Sequence, residues 1–200
     1  MDQNSHWNRG FYCSECDREF QNLNNLNMHL RSNIHQGRQI PCPFCKKAFA
    51  TASGAAHHLE TAACPEARNR NLSRERIHNF IQKRDTRGEI TKKLITYPGM
   101  PKVTETIATA ASWNGYGFEC YICHRDFKGL RALNQHLASP AHQQNLYRCP
   151  KMGCNKEFKS LAGLCNHWES ESCGFMRFQQ VQQNAGTLFN INSSRLLTFG

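Results

Sequence analysis

Large aliphatic side chains are scarce along most of this 200-residue chain, and no stretch of it approaches the ~18 consecutive apolar residues of a membrane-spanning helix. It opens Met1-Asp2-Gln3-Asn4, without the basic-then-apolar leader of a secretory signal. The first scarcity argues against one ordinary hydrophobic core, the second against a membrane protein, the missing leader against export. Cysteine and histidine are abundant instead, 11 and 10 respectively. Without an export signal, cysteines at short regular spacings read as metal ligands in a reducing compartment, nucleus or cytosol, rather than as a disulfide framework.

Negative charge is in short supply too, with 25 Lys and Arg against 15 Asp and Glu. The excess favours polyanionic partners, but half of the net +10 falls on residues 65–117, while residues 1–37 are net −1. In that middle segment Arg68, Arg70, Arg74, Arg76, Lys83, Arg84, Arg87, Lys92 and Lys93 alternate with Glu66, Glu75, Asp85 and Glu89. They read either as phosphate contacts and an import signal or as a solvated face.

An internal repeat organises the chain. Phe11, Cys13, Cys16, Phe20, Leu26, His29 and His35 return 107 residues later as Phe118, Cys120, Cys123, Phe127, Leu133, His136 and His142. A second set, Cys42, Cys45, Phe49, Ala55, His58 and Cys64, returns as Cys149, Cys154, Phe158, Leu164, His167 and Cys173. Two inserted residues between Cys149 and Cys154 move the offset from 107 to 109. Each pair of motifs is followed by a helix-like stretch and a strand-like one. The first has Ser73 as N-cap, Leu72 and Ile77 as a staple and Ile77, Phe80 and Ile81 on one face, then Ile90 to Tyr97. The second has Phe175, Phe178 and Val181, then Ile191 to Phe199. These read either as ordered appendages or as a loose linker and tail. Residues 98–117, with Pro98-Gly99, Pro101 and Asn114-Gly115, read as a flexible join.

A borderline-soft d10 ion takes four thiolate or imidazole ligands in a tetrahedron. Cys-x2-Cys across a tight turn makes two thiolates converge, and 12 further residues finish a hairpin and begin a helix that brings the third ligand round. That gap is 12 in all four motifs. The implied cofactor is Zn2+, four structural ions held by Cys13, Cys16, His29, His35; Cys42, Cys45, His58, Cys64; Cys120, Cys123, His136, His142; and Cys149, Cys154, His167, Cys173. Sixteen ligands saturate four ions, so no coordination position stays open for catalysis, and no nucleophile–base set appears elsewhere: the chain does not read as an enzyme. Ligands six apart lie about 120° apart round a helix, so each helix must loosen or end before the final ligand. Pro140 suits that break, as do Ser32 and Asn33. His58 is preferred to its neighbour His57 as the ligand, Cys165 reads as a packed helix residue, and His6, His78 and His124 as surface histidines. Ala55, where the other motifs carry Leu, marks the second as the least stable.

These residues resemble the C2H2 zinc-finger superfamily over roughly half the chain, two of the motifs being C2HC variants. Leu26 to His35 and Leu133 to His142 look most like its U1-like, double-stranded-RNA-binding branch, and the arrangement resembles multi-finger proteins of filamentous fungi. The resemblance implies ββα fingers, nucleic-acid binding and residence in the nucleus. In DNA-reading relatives the positions two, five and eight after the core Phe face bases. Here they are Asn22, Asn25, Met28; Thr51, Gly54, His57; Gly129, Ala132, Gln135; and Ser160, Gly163, Asn166, with no Arg among them. The Thr-Gly-Glu-Lys-Pro linker of groove-tracking fingers is absent.

The fold expected is therefore a small zinc-stabilised α+β protein, four ββα fingers in two tandem pairs with helical linker and tail segments. Its divisions are finger one 11–37, finger two 40–66, a basic, partly helical linker 67–117, finger three 118–144, finger four 147–175 and a tail 176–200. Candidate nucleic-acid contacts are Asn22, Asn25, His57, Arg131, Gln135 and Asn166 on the fingers and Arg74, Arg76, Lys83 and Arg84 in the linker. The partner is DNA or double-stranded RNA. The alternative is a zinc-stabilised protein scaffold, with protein partners reached through 72–97 and 175–199. Neither a membrane nor a small-molecule substrate is expected.

Overall fold

A turn between two cysteines returns the chain antiparallel, and four such hairpins recur in the computed structural model, which describes residues 10–69, 74–93, 95 and 107–189. Finger one pairs Phe11–Cys13 (β1) with Arg18–Phe20 (β2), followed by helices Leu23–Leu30 (α1) and Asn33–Gln36 (α2). Finger two pairs Ile40–Pro41 (β3) with Ala48–Phe49 (β4) ahead of Ala52–Glu60 (α3). Helices Pro65–Asn69 (α4) and Arg74–Arg84 (α5) come next. Finger three pairs Phe118–Glu119 (β5) with Asp126–Phe127 (β6) before Leu130–Ala138 (α6). Finger four pairs Tyr147–Arg148 (β7) with Glu157–Phe158 (β8) before Leu161–Glu169 (α7), and Phe178–Phe189 (α8) closes the described chain. The residue after each second cysteine, Asp17, Lys46, His124 and Asn155, has φ between 50° and 61°, the left-handed kink that closes the knuckle.

The helices end as the ligand spacing requires. In finger one α1 stops at Leu30, and Ser32 caps a new turn, accepting from the Ile34 N–H, that carries His35. In finger three Ser139 caps a 3-10 turn, Pro140–His142, with Pro at its start. Fingers two and four end instead through left-handed residues, Ala62 and Glu171, before Cys64 and Cys173.

The fingers do not pack in chain order. Helices α3 and α7 form the most extensive helix contact among the described residues, joining finger two to finger four. Ala52, Ala55 and Ala56 on one side and Leu161, Leu164, Cys165 and Trp168 on the other are at most 1% exposed. The N-terminus of each helix is capped by the other's C-terminal glutamate. Glu60 accepts from the Leu161 and Ala162 N–H groups at 2.8 and 3.0 Å, and the Ser160 hydroxyl takes Gly163 N–H. Glu169 accepts from Ser53 N–H at 3.1 Å and from its hydroxyl at 2.5 Å. Gln182 and Thr51 take the N–H groups of Ala52 and Gly54. Three of the four donors that a helix start leaves unpaired are thereby satisfied in both helices.

The segments between and after the finger pairs complete this core crosswise. Residues 90–92, which follow finger two, add a strand to finger four: Arg148 N–H donates to Ile90 O and Lys92 N–H to Leu146 O. Helix α8, which follows finger four, packs on α3 and β3 of finger two. One core thus contains Ile77, Ile81, Ile90, Tyr147, Val181, Leu188 and Phe189 beside α3 and α7. Asp85 fastens the turn after α5 by accepting from the N–H groups of Glu89, Ile90 and Thr91 and from the Thr91 hydroxyl.

Several expectations are corrected by this packing. Ala55 is not a weak point: it is 0% exposed and lets α7 approach closely, whereas finger one has no buried aliphatic residue. His78 is not a surface residue but lies 1% exposed, its ring edge-on to Tyr147. Among the described residues of 72–97 and 175–199, offered as a protein-docking surface, Ile77, Ile81, Ile90, Val181, Leu188 and Phe189 are turned into the core, whereas Ile95 is 67% exposed. His6, Arg70, Leu72, Ser73, 98–106 and the strand-like stretch expected at 191–199 lie outside the described residues.

Removing either glutamate strands backbone donors inside a buried interface, where bonds to a charged acceptor contribute about 1.5–3 kcal/mol each. Glu60→Ala and Glu169→Ala are each expected to lower the unfolding free energy by about 2–4 kcal/mol. Urea titration followed by tryptophan fluorescence checks this, with zinc content holding at four. A loss below about 0.5 kcal/mol would mean that the caps are incidental.

Candidate metal centres and nucleic-acid interface

All sixteen cysteine and histidine positions singled out by spacing converge in four groups, within each of which the ligand atoms lie within 4.8 Å of one another. In every finger the hairpin knuckle delivers two thiols and the helix delivers histidine Nε2. The core phenylalanine stacks on that first histidine, with ring centroids 4.7–5.1 Å apart.

The separations suit a tetrahedral ion. Zn–S bonds of about 2.3 Å and Zn–N bonds of about 2.0 Å set thiolates about 3.8 Å apart and thiolate–imidazole pairs about 3.5 Å apart. Cys42 and Cys64 sulfurs are 3.7 Å apart, those of Cys149 and Cys173 3.8 Å. Sulfur–Nε2 separations run from 3.2 to 3.4 Å across the fingers. The two histidine nitrogens of fingers one and three, 2.9 Å apart, are tighter than the ideal edge. Each group supplies four soft or borderline donors, so the ions they hold are structural zinc.

Neighbouring groups orient these ligands. Glu15 accepts from His35 Nδ1 at 2.8 Å, which leaves Nε2 to face the metal. Ala67 N–H donates to Cys64 sulfur at 3.4 Å. Burial pushes the Cys42 and Cys149 thiols up to about 11. Burial also lowers His29, His58, His136 and His167 below the usual imidazole range, which favours the neutral, ligating form.

A family model described as zinc-finger double-stranded RNA-binding matches residues 10–36, and one for zinc fingers of C2H2 type matches 118–142. The chain carries C2H2-type zinc fingers. Curated relatives resemble it only over short spans. Transcription factor IIIA of Mus musculus is 36% identical over 45 residues, 22% of this chain and 12% of that protein. Zinc finger E-box-binding homeobox 2 of Homo sapiens is 38% identical over 58 residues, 28% of this chain and 5% of that protein. Zinc finger protein ehn-3 of Caenorhabditis elegans is 33% identical over 54 residues, 27% of this chain and 21% of that protein. This zinc-finger protein therefore spans a small part of each relative's length. No solved structure gives a significant match.

The candidate nucleic-acid contacts divide by finger. On α1 Asn22, Asn25 and Met28 are all exposed, Asn22 serving as N-cap to the Asn25 N–H at 2.9 Å. On α6 Arg131, Ala132 and Gln135 are exposed. On α3 and α7 only His57 and Asn166 are open; Thr51, Gly54, Ser160 and Gly163 are half-buried where the two helices start. The linker basics also separate. Arg76 and Lys83 are exposed, and Arg74 is half-buried and donates to Gln143. Arg84, expected at the surface, is 5% exposed with its guanidinium over Phe80 and donating to Thr187 O. Sequence reasoning missed Glu60 and Glu169, whose one visible signal was their recurrence at the repeat offset.

The raised thiols make zinc binding proton-coupled. Cys42 and Cys149 are protonated at neutral pH in the metal-free protein, so zinc entry expels their protons and apparent affinity rises with pH. Competition against a chelator is expected to show fingers two and four losing at least about tenfold in affinity for each pH unit lowered between 8 and 7. A flat profile would contradict the coupling.

Proposed function

We propose that this zinc-finger protein is a nuclear protein that binds duplex nucleic acid through shape and backbone, with double-stranded RNA as the preferred form. The observation that carries this reading is the pairing of α3 with α7. A major groove about 12 Å wide admits one helix of about 10–12 Å diameter, not two side by side. Four-finger tracking of a DNA groove is therefore incompatible with this core. The starts of α3 and α7, which a groove-reading finger aims at the duplex, already face the carboxylates of Glu169 and Glu60. Duplex RNA presents a wide, shallow minor groove and is recognised largely by phosphate and ribose contacts rather than by base edges. Small neutral residues on α1 and α6 suit that mode, as does the match of finger one to a double-stranded-RNA-binding model. The similarity to Transcription factor IIIA and Zinc finger E-box-binding homeobox 2 supports a nuclear setting. We assign no catalytic step, because a zinc ion with four protein ligands has no position open to substrate.

A protein-scaffold reading is favoured by one observation. Leu23, Met28 and Ile34 of finger one are 55%, 54% and 62% exposed, an apolar surface beside neutral asparagines. The two readings separate in a titration of labelled RNA and DNA duplexes of one sequence at about 50 and 200 mM salt. The RNA-shape reading expects at least about tenfold tighter binding to RNA, falling linearly in log–log form with salt. Preference for one DNA sequence would instead identify a gene regulator, and no binding to either duplex at low salt would leave the scaffold.

A further inference from the structure

Resting on the nucleic-acid reading just given, we infer that finger three carries the phosphate contacts and that finger one, although it shares the spacing at every ligand, carries none. The two fingers match in ligands and core but differ in charge. Finger three has Arg125, Lys128 and Arg131, all exposed and in no ion pair among the described residues. Arg131 and Gln135 stand four apart on α6 and share one helix face, with Lys128 immediately before the Gly129 cap. The carboxylates of finger three are occupied on its hairpin: Glu119 accepts from His124 and Asn114, Asp126 from Asn114.

Finger one has the opposite balance. Its hairpin exposes Glu15, Asp17 and Glu19. Its Arg31 is turned away from solvent, donating to Glu169 O at 2.5 Å and to Glu171 at 3.2 Å, with its guanidinium 5.0 Å from the Phe178 ring centroid. That leaves Arg18 as its one exposed cation against three exposed carboxylates. A polyanion approaching finger one meets net repulsion, and one approaching finger three meets three unpaired cations. Finger one is held against finger four and α8 by Arg31, so its share in recognition is to fix the shape of the surface rather than to contact phosphate.

The test uses the full chain and a labelled RNA duplex, with the DNA duplex as a second arm, at several salt concentrations. Arg125→Ala, Lys128→Ala and Arg131→Ala combined are expected to weaken binding at least about 30-fold and to reduce the log–log salt slope by about two to three, since each phosphate contact contributes roughly 0.7–0.9. Restoring the charges by exchanging Arg and Lys at the three positions should recover most of the affinity, separating charge from folding. Arg18→Ala in finger one should change affinity less than about twofold; elemental analysis must give four zincs in every variant. Equal losses from the two fingers, or a loss below about threefold from the finger-three variant while the parent binds, would overturn the assignment. A parent that binds neither duplex would overturn the proposed function itself, and this inference with it.

Discussion

Two antiparallel helices, each closing the other's start with a glutamate, are the contact on which the rest of this molecule is arranged. A helix start carries about half a positive charge and unpaired N–H groups, and burying it without a partner is costly. Glu60 and Glu169 lie at the ends of α3 and α7, so antiparallel packing brings each carboxylate to the opposite start. Burial raises the Glu60 carboxyl, and the N–H groups of Ala162 and Leu161 pull it back. The arrangement is specific as well as stabilising. A parallel pairing or a shift of one turn would leave both carboxylates and both helix starts unpaired in an apolar interface.

Zinc and burial divide the work of stabilisation differently among the fingers. Ile81, Ile90, Leu161, Leu164 and Leu188 of the shared core are at most 2% exposed, and each full burial is worth about 1.5–3 kcal/mol. Finger three has a small core of its own around Leu133 and Leu137. Finger one has only half-buried Phe20, Leu26 and Leu30 beside its ligands and depends most heavily on its metal. The fourth ligand follows the same division. Cys64 and Cys173 belong to the two fingers packed in the core, where a short thiol reaches the centre after a left-handed turn. His35 and His142 belong to the outer fingers, where the longer imidazole is carried on a restarted turn.

The ligand positions, the hairpins and the break before the last ligand were legible because tetrahedral coordination imposes them within one finger, at short range. The pairing between fingers was not, because it joins residues more than a hundred positions apart through side chains with ordinary local explanations. Ala55 looks like a deleted Leu until α7 lies against it. Arg84 looks like one more linker charge until its guanidinium meets Thr187 O, and His78 looks polar enough for the surface until Tyr147 covers it. The recurrence of Glu60 at Glu169 was present in the repeat, but an exposed helix-end glutamate is common enough to pass unnoticed.

The crossing of the chain between the two halves explains why the basic segment cannot be a free linker. Residues 90–92 complete the sheet of finger four, and α8 covers finger two, so neither half has its full core without the other. Finger three then meets this scaffold at the start of α5, where Arg74 donates to Gln143, and along residue 95, which exchanges hydrogen bonds with Gln144. Finger one meets it at the start of α8, where Arg31 lies over Phe178. Each outer finger therefore rests on the helix that starts the opposite side's appendage, held by side chains rather than by a flexible tether. A finger so held presents one face of its helix in one direction. Recognition by shape requires this, because a surface that reads the spacing of phosphates must keep its own charges at fixed spacing before the ligand arrives.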